Sequence, residues 1–362
     1  MVFYCRFKPP FKSGKTGCPA LATSLFLWLG WDSAIILSMP QLPKIELHLH
    51  LDCSLSHAAV QQLAPNITQQ EYDTEFVAPN QCASLADFLT RAPRGFQLMQ
   101  TEEALRIVTE DVFEQLARDR VLYAEIRFAP LLHLLNGLTP EAVVAVVDRA
   151  TEQCIQATGI EARLILCTLR HFDEAQSLQT AQLVHKFQGT RVAALDIAGD
   201  EAGFPIDNHI AAFRYAIDQG LYRTAHAGEA SGPSSVWETL RAFEPTRIGH
   251  GVRSTEDPAL VQHLTHERIH LEVCPTSNVQ TRTALTYEDH PIDSLYRAGV
   301  PLGISTDTRT ITNINLEREY AQLRQHFHWE DEDFQACNRE ALRAAFIDEP
   351  TRARLLAQLN AV

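Results

Sequence analysis

Three short segments carry side chains that can bind a metal ion or move a proton. His48 and His50 end an apolar run with one residue between them, and Asp307 ends another. His226 is followed three residues later by Glu229 in a glycine-containing loop. Three imidazoles and one carboxylate suit a borderline-soft divalent ion, most often zinc. The residue types therefore predict a metal site with an acid–base group beside it.

The predicted metal ligands are His48, His50, His226 and Asp307, with one further position left for water. A bound metal ion lowers the pKa of that water to about 7 and so makes a hydroxide nucleophile at neutral pH. The apolar run that ends at residues 195–199 has no lysine that could be carboxylated to bridge a second ion. One zinc ion per chain is therefore expected.

Apolar runs that alternate with helix-type spacing predict the elements that position these side chains. Strand and helix in alternation form parallel sheets, and eight such units favour a closed (β/α)₈ barrel of the TIM type. Residues two apart on a strand face the same side, and the C-terminal ends of barrel strands surround one axis. The predicted ligands should therefore meet there. The eight runs are Ile45–Leu49, Val121–Phe128, Ala162–Leu169, Val192–Ile197, Tyr222–Ala225, Thr246–Gly249, Ile269–Cys274 and Val300–Ser305.

Residues 39–362 are expected to form one domain, with extra helices after the first strand and at the C-terminus. Residues 1–38 differ in character, because basic residues precede the apolar run Leu21–Trp31, which Asp32 interrupts. We interpret them as an upstream leader that is disordered or not native, with a targeting segment as the alternative.

The overall composition limits the partners. A formal net charge of −14 over 362 residues argues against nucleic-acid and anionic-membrane partners, which need a basic face. Eight cysteines without a C-x-x-C pair indicate buried thiols of a reduced, cytoplasmic protein. A small-molecule partner and a monomer or small homo-oligomer are expected.

Two further histidine patterns suggest other enzymes. Residues 266–270 match the H-E-x-x-H motif of zinc proteases, which needs both histidines on one helical face. His270 leads directly into a strand-like run, so the helix should end before it. His270 and Glu272 also form an H-x-E, but the P-C-x-x-C of base-editing deaminases does not follow.

With these motifs in order along the chain, the sequence resembles the adenosine deaminase family of metal-dependent amidohydrolases. The resemblance extends from Met39 to the C-terminal helices. It implies that His48, His50, His226 and Asp307 hold zinc. The matching stretches are Pro43–Asp52, Tyr123–Pro130, Asp196–Glu201, His226–Glu229, Arg247–Gly251, Glu272–Asn278 and Ser305–Asp307.

The resemblance also implies catalytic roles for three residues. Glu229 would protonate N1 of the purine, and His250 would orient and stabilise the attacking hydroxide. Asp307 would accept a hydrogen bond from that hydroxide. The implied reaction is hydrolysis of adenosine or a close 6-aminopurine nucleoside to the 6-oxo purine and ammonia.

The substrate contacts depart from the family pattern in two places. Gly199 would meet purine N3, and Asp52 would bind the ribose 5′-hydroxyl, with His50 also bordering the substrate. Thr308 stands where the family has the aspartate that contacts N7, and Cys53 replaces a glycine. Another aminopurine therefore stays open as substrate: adenine, aminodeoxyfutalosine or a 5′-modified adenosine. A non-catalytic, nucleoside-binding zinc barrel is the remaining alternative.

Overall fold

Parallel strands form the centre of the molecule. The computed structural model describes residues 42–361. Neighbouring strands pair in parallel in the orders β1-β2-β3-β4-β5 and β6-β7-β8-β9. The strands are β1 Lys44–His50, β2 Val121–Phe128, β3 Glu161–Leu169, β4 Val192–Ala198, β5 Tyr222–Arg223, β6 His226–Ala227, β7 Arg247–His250, β8 His270–Val273 and β9 Leu302–Ile304.

The predicted fifth strand, Tyr222–Ala225, contains only β5, and a separate strand, β6, begins at His226. The residues between β5 and β6 join the two sheets. β5 pairs with β4 and β6 pairs with β7. Between them, Thr224 N donates to the carbonyl of Leu195 at 3.0 Å, and Ala225 O accepts from Gly249 N at 2.8 Å. The chain therefore passes from one neighbouring strand to the other without leaving a gap in the barrel wall.

The second seam of the barrel lies between β1 and the residues after β9. His50 N donates to Asp307 O at 2.8 Å, and Asp307 N donates to His48 O at 2.9 Å. Leu49 and Asp307 form a parallel bridge. These bonds close the sheet, and the predicted (β/α)₈ barrel of the TIM type is confirmed.

Helices fill the connections between strands. The segment after β1 adds helices, as predicted: α1 His57–Leu63, α2 Gln69–Glu75, α3 Leu85–Leu89, α4 Ala92–Phe96 and α5 Glu102–Arg118. The following connections contain α6 Pro140–Thr158, α7 Glu174–Lys186, α8 Ile210–Asp218, α9 Pro233–Phe243, α10 Pro258–His266, α11 Pro275–Gln280, α12 Ile292–Arg297 and α13 Arg309–Thr312. The C-terminal helices are α14 Leu316–Phe327, α15 Asp331–Ala344 and α16 Glu349–Leu359.

Local sequence signals explain where these helices begin and end. In α6, the Thr139 side chain accepts a hydrogen bond from Ala142 N, and Pro140 occupies the first turn. Gly159 ends the helix in the left-handed conformation, with φ 75°. The apolar face of α6, which includes Val143 and Val147, is buried in the main core.

The C-terminal helices cover the N-terminal end of the barrel. Ile45 and Leu47 of β1 form a small core with Ala341 and Leu342 of α15 and with Leu355 of α16. The opposite end, where the strands finish, therefore remains available for a site.

The predicted end of one helix has a clear outcome. Helix α10 ends at His266 and β8 begins at His270, so the H-E-x-x-H pair does not share a helical face, as expected. Within the described residues, every helix is too short or too polar to cross a membrane. The predicted leader, residues 1–38, lies outside the described residues, and the single-domain assignment of 39–362 stays a prediction.

Candidate active site

Histidine and aspartate side chains from four strand ends converge at the C-terminal end of the barrel. The ligand-type atoms of one group lie within 4.8 Å of one another: His48, His226, His250 and Asp307. His50 adjoins this group, because its Nε2 lies 3.2 Å from Nε2 of His226 and 3.5 Å from Oδ1 of Asp307. The structure thus brings together all four predicted ligands, with His250 beside them.

Three of the predicted ligands have protonation states that fit a divalent cation. Burial lowers the pKa of the fourth, His48, but hydrogen bonds with Asp307 and Glu272 outweigh burial and raise that pKa. Burial lowers the pKa of His50 and of His226, so both imidazoles are neutral at pH 7 and keep a free lone pair. Burial raises the pKa of Asp307, but the neighbouring histidines, His48 first, outweigh it and hold the pKa well below its usual range. His48 Nε2 is buried and lies 3.4 Å from Oδ1 of Asp307. Neutral imidazoles and an ionised carboxylate are the donors that a metal ion requires.

Buried carboxylates orient the two innermost imidazoles. Nδ1 of His48 lies 3.0 Å from Glu272, and Nδ1 of His226 lies 3.2 Å from Asp196, so both Nε2 atoms face the cluster. A carboxylate behind a ligating histidine is a common arrangement in metal sites. Arg127 joins the two carboxylates, at 2.8 Å to Asp196 and 2.6 Å to Glu272.

Sequence reasoning gave no role to these three charged residues, although each stands inside a strand. Arg127 lies in β2, Asp196 in β4 and Glu272 in β8, and all three are fully buried. A charged side chain in an otherwise apolar strand costs free energy unless it is paired. That pattern was the signal that could have identified them.

Asp307 is held in a strained conformation by its neighbours. Its φ is 64°, a value that few residues other than glycine adopt. Its N–H and C=O both bond to β1, and its Oδ2 accepts a hydrogen bond from Ser277 Oγ at 2.7 Å. Such strain persists only where the surroundings impose it, and it concentrates at functional sites.

Glu229 faces this cluster as a carboxyl group in a dry environment. Burial, followed by the negative charges of Asp307 and Glu201, raises the pKa of Glu229 well above its usual value. One of its oxygens, Oε1, is buried without a hydrogen-bond partner among the described residues. The raised pKa favours the protonated carboxyl group, which is the form that can act as a general acid.

His250 lies between Glu229 and the other imidazoles. Its Nε2 is 3.6 Å from Oε2 of Glu229, and the amide of Asn278 lies 3.1 Å from its Nδ1. Asn278 Oδ1 in turn lies 3.1 Å from Nε2 of His290. With the Asn278 amide donating to Nδ1, the His250 proton sits on Nε2 and points into the site. Asn278 and His290 are positioning residues that sequence reasoning missed.

One cavity of about 450 Å³ opens onto these groups. Helices α3 and α4 contribute an apolar wall that includes Leu85, Phe88 and Phe96. The predicted catalytic and substrate-binding residues all line this cavity: His50, Asp52, Gly199, Glu229, His250, Asp307 and Thr308.

The residues predicted to contact substrate differ in how they are held. Asp52 Oδ2 accepts a hydrogen bond from Ala129 N at 3.1 Å, and burial raises the pKa of Asp52 to about 6. The Thr308 hydroxyl is buried and has no hydrogen-bond partner among the described residues. Gly199 has φ 102°, a conformation that suits glycine. Cys53 also borders the cavity, where the sequence placed a departure from the family.

The sequence match to a known family agrees with this geometry. A family model described as "Adenosine deaminase" matches residues 43–362. The chain belongs to the adenosine deaminase family. The predicted family and the prediction of a hydrolytic deaminase are therefore confirmed.

Individual members of this family resemble the chain over nearly its whole length. It is 32% identical over 326 residues to an adenosine deaminase of Clostridium acetobutylicum, covering 88% of this chain and 97% of that protein. A solved adenine deaminase from Arthrobacter aurescens superposes with a TM-score of 0.82 at 26% identity, over 88% of this chain and 98% of that one. An N6-mAMP deaminase of arabidopsis gives 0.79 at 25% identity, over 89% and 98%.

Proposed function

We propose that this member of the adenosine deaminase family hydrolyses adenosine, or a close 6-aminopurine nucleoside, to the 6-oxo purine and ammonia. The observation that carries the proposal is one cavity bordered by both a histidine–aspartate cluster and the buried carboxyl group of Glu229, whose pKa is raised. The relatives named adenosine deaminase support the choice of adenosine.

One zinc ion per chain would be held by His48, His50, His226 and Asp307. Three imidazoles with a carboxylate match the donors zinc prefers, and the site has room on its cavity side. When bound, the ion supplies a water-derived nucleophile at neutral pH. The Asp196 and Glu272 carboxylates keep the Nε2 atoms of His226 and His48 directed at it.

Glu229 and His250 would handle the protons of the reaction. Protonated Glu229 gives its proton to N1, which draws electron density from C6 and makes that carbon electrophilic. The Nε2–H of His250 stabilises negative charge on the attacking oxygen. Asp307 orients the same oxygen by accepting its hydrogen. The 6-amino group would then take the proton of the added hydroxyl group and leave as ammonia while the C6=O bond of the 6-oxo purine forms.

The remaining cavity residues would align the purine. Gly199 N–H would bond N3, and Asp52 would accept from the ribose 5′-hydroxyl. Thr308 offers a neutral hydroxyl that can donate to N7, an acceptor, whereas an ionised aspartate cannot donate. Thr308 thus supports a purine contact without the aspartate of the family pattern.

The substrate is tested by ammonia release and ultraviolet absorbance on adenosine, deoxyadenosine, adenine and 5′-modified adenosines. The proposal predicts the highest kcat/KM for a nucleoside. A preference for adenine would favour the alternative that the solved adenine deaminase represents. Tight nucleoside binding without ammonia release would favour a binding protein.

The acid–base assignment is tested by Glu229→Gln. The amide cannot give up a proton to N1, so kcat falls by about 10²–10⁴-fold while the metal content stays at one ion per chain. A variant within tenfold of wild type would remove Glu229 from this role.

We also propose a cytoplasmic location and a monomer or small homo-oligomer. The cysteines of the described residues are free and buried, as expected in a reducing compartment: Cys53, Cys82, Cys154, Cys167, Cys274 and Cys337. Fractionation and light scattering would test the two statements.

A further inference from the structure

The carboxylate of Glu201 accepts five hydrogen bonds from the loop after β6 and the first turn of α9. Glu201 lies after β4, whereas its partners lie after β6, on the neighbouring barrel strand. The Gly228 N–H donates to Oε1 at 2.7 Å, and Ser235 Oγ donates to the same oxygen at 2.6 Å. Oε2 accepts from the backbone N–H groups of three successive residues, at 3.0, 2.7 and 2.9 Å: Glu229, Ala230 and Ser231.

These bonds fix the backbone of the residue that carries the general acid. The peptide N–H of Glu229 is bound to Glu201, and its carbonyl accepts from Thr283 Oγ1 at 3.1 Å. Both peptide groups flanking the Glu229 Cα are therefore tied to other parts of the barrel. The carboxyl group itself keeps one buried oxygen, Oε1, free of hydrogen bonds among the described residues. The restraint acts on the backbone and leaves the acid available.

The backbone conformation and close packing at Gly228 also restrict this loop. Gly228 has φ 70°, and a Cβ there would lie 2.6 Å from Val236 Cγ2 and 3.2 Å from Gly251 Cα. Only glycine fits this position. The loop with Glu229 is thus packed against Gly251, which follows His250 directly in sequence.

We propose that Glu201 is a positioning residue that sets the location of Glu229 against the purine. This inference rests on the proposed function of Glu229. Proton transfer to N1 needs heavy atoms at hydrogen-bond distance, and a displacement of about 1 Å can cost about 10²-fold in rate. Glu201 has five donors directed at it, and four come from the backbone that bears the acid.

A purely structural role is the competing explanation. Glu201 would then satisfy buried N–H groups ahead of α9, and its loss would lower stability without a specific effect on catalysis. The two explanations differ in what Glu201→Gln does once Glu229 can no longer act as an acid.

The primary variant is Glu201→Gln, which keeps the shape of the side chain. One carboxylate oxygen becomes an NH₂ group that faces donors, so at least two of the five hydrogen bonds are lost. Glu238→Gln is the matched control, because Glu238 is exposed on α9 and undergoes the same change of charge. We expect kcat to fall about 100-fold in Glu201→Gln, with KM within about threefold, unchanged metal content and wild-type kinetics in the control.

A double-mutant cycle with Glu229→Gln separates positioning from stability. If Glu201 acts through Glu229, Glu201→Gln should lower kcat less than about threefold when residue 229 has already been changed by Glu229→Gln. A full 100-fold loss in that background would overturn the proposal. Should Glu201→Gln fail to fold, Glu201→Asp, whose carboxylate is withdrawn by one methylene, enters the same cycle with the same criterion.

Hydrogen exchange of the 228–235 segment tests the restraint without relying on activity. Exchange of these amides should accelerate at least tenfold in Glu201→Gln and stay unchanged in Glu238→Gln. Unchanged exchange in both variants would overturn the proposal even if wild type is an active deaminase. A wild-type protein that deaminates no aminopurine would overturn the proposed function instead, and the exchange result would still report whether Glu201 restrains the loop.

Discussion

Replacing Arg127 by lysine removes the side chain that joins the carboxylates behind His48 and His226, two of the proposed metal ligands. Arg127 bonds Asp196 at 2.8 Å, Glu272 at 2.6 Å and the carbonyl of Leu47 at 2.6 Å, and it is fully buried. Its planar fork reaches both carboxylates at once, whereas a lysine ammonium is a single point charge. The variant keeps the positive charge but cannot reach both carboxylates. Asp196 then lacks a guanidinium partner, whereas Glu272 still pairs with Arg247 at 2.8 Å.

The size of the effect follows from burial. Breaking one buried ion pair by removing one partner costs about 3–5 kcal/mol, because the remaining charge stays desolvated. Exposed pairs contribute about 0–1 kcal/mol. Arg354→Lys provides the matched control, since Arg354 pairs with Glu161 at 2.8 Å and is 47% exposed.

Urea denaturation of chelator-treated protein is the assay, so that metal binding does not add to the measured free energy of unfolding. The free energy of unfolding should fall by about 3–5 kcal/mol in Arg127→Lys and by less than about 1 kcal/mol in Arg354→Lys. Zinc affinity, measured by competition with a chromophoric chelator, should fall about 10–100-fold in Arg127→Lys. A loss below about 1 kcal/mol together with wild-type zinc affinity would refute the reasoning.

Further variants test other parts of the site and its support. His226→Ala should purify with little zinc, whereas the control His266→Ala, at an exposed position, should keep its zinc. Elemental analysis measures both, and full zinc occupancy in His226→Ala would contradict the proposed ligand set. Burial raises the pKa of Glu319 from 4.5 to about 8, so the folded chain holds this proton more tightly than the unfolded chain does. The free energy of unfolding should therefore fall as the pH rises from 4.5 to about 8. Each unit of difference between the folded and unfolded pKa is worth about 1.4 kcal/mol. The free energy of unfolding of Glu319→Gln, measured by urea denaturation, should therefore exceed that of wild type by about 4–5 kcal/mol at pH 9 and equal it at pH 4. Thr308→Val should raise KM for adenosine about fivefold but not for 7-deazaadenosine, which lacks N7; equal effects in steady-state kinetics would exclude the N7 contact.

The barrel and the convergence of the proposed ligands at one end of it could be predicted because both follow from local patterns. The His48 and His50 imidazoles share one side of β1 because side chains alternate along a strand. Helix α10 ends before His270 because a strand begins there. Parallel strands then carry His226 and Asp307 to the same end as β1 without any knowledge of distances.

The supporting contacts could not be predicted, because they join residues far apart in sequence. Glu201 and the loop that it binds are separated by 27 to 34 positions, and Arg127 and Glu272 by 145. The helix and strand periods in the sequence do not indicate which distant residues pair with each other, and these residues meet only in the folded barrel. The separate strand β6 was missed for the same reason, since β5 pairs with β4 whereas β6 pairs with β7.

A crystal structure of the purified protein with anomalous diffraction at the zinc edge tests the metal centre most directly. We predict one peak per chain, bound by the imidazoles of His48, His50 and His226 and by the carboxylate of Asp307, with a further position facing the cavity and Glu229. A structure without that peak in zinc-replete protein, or with the cavity-facing position filled by a protein side chain, would contradict it.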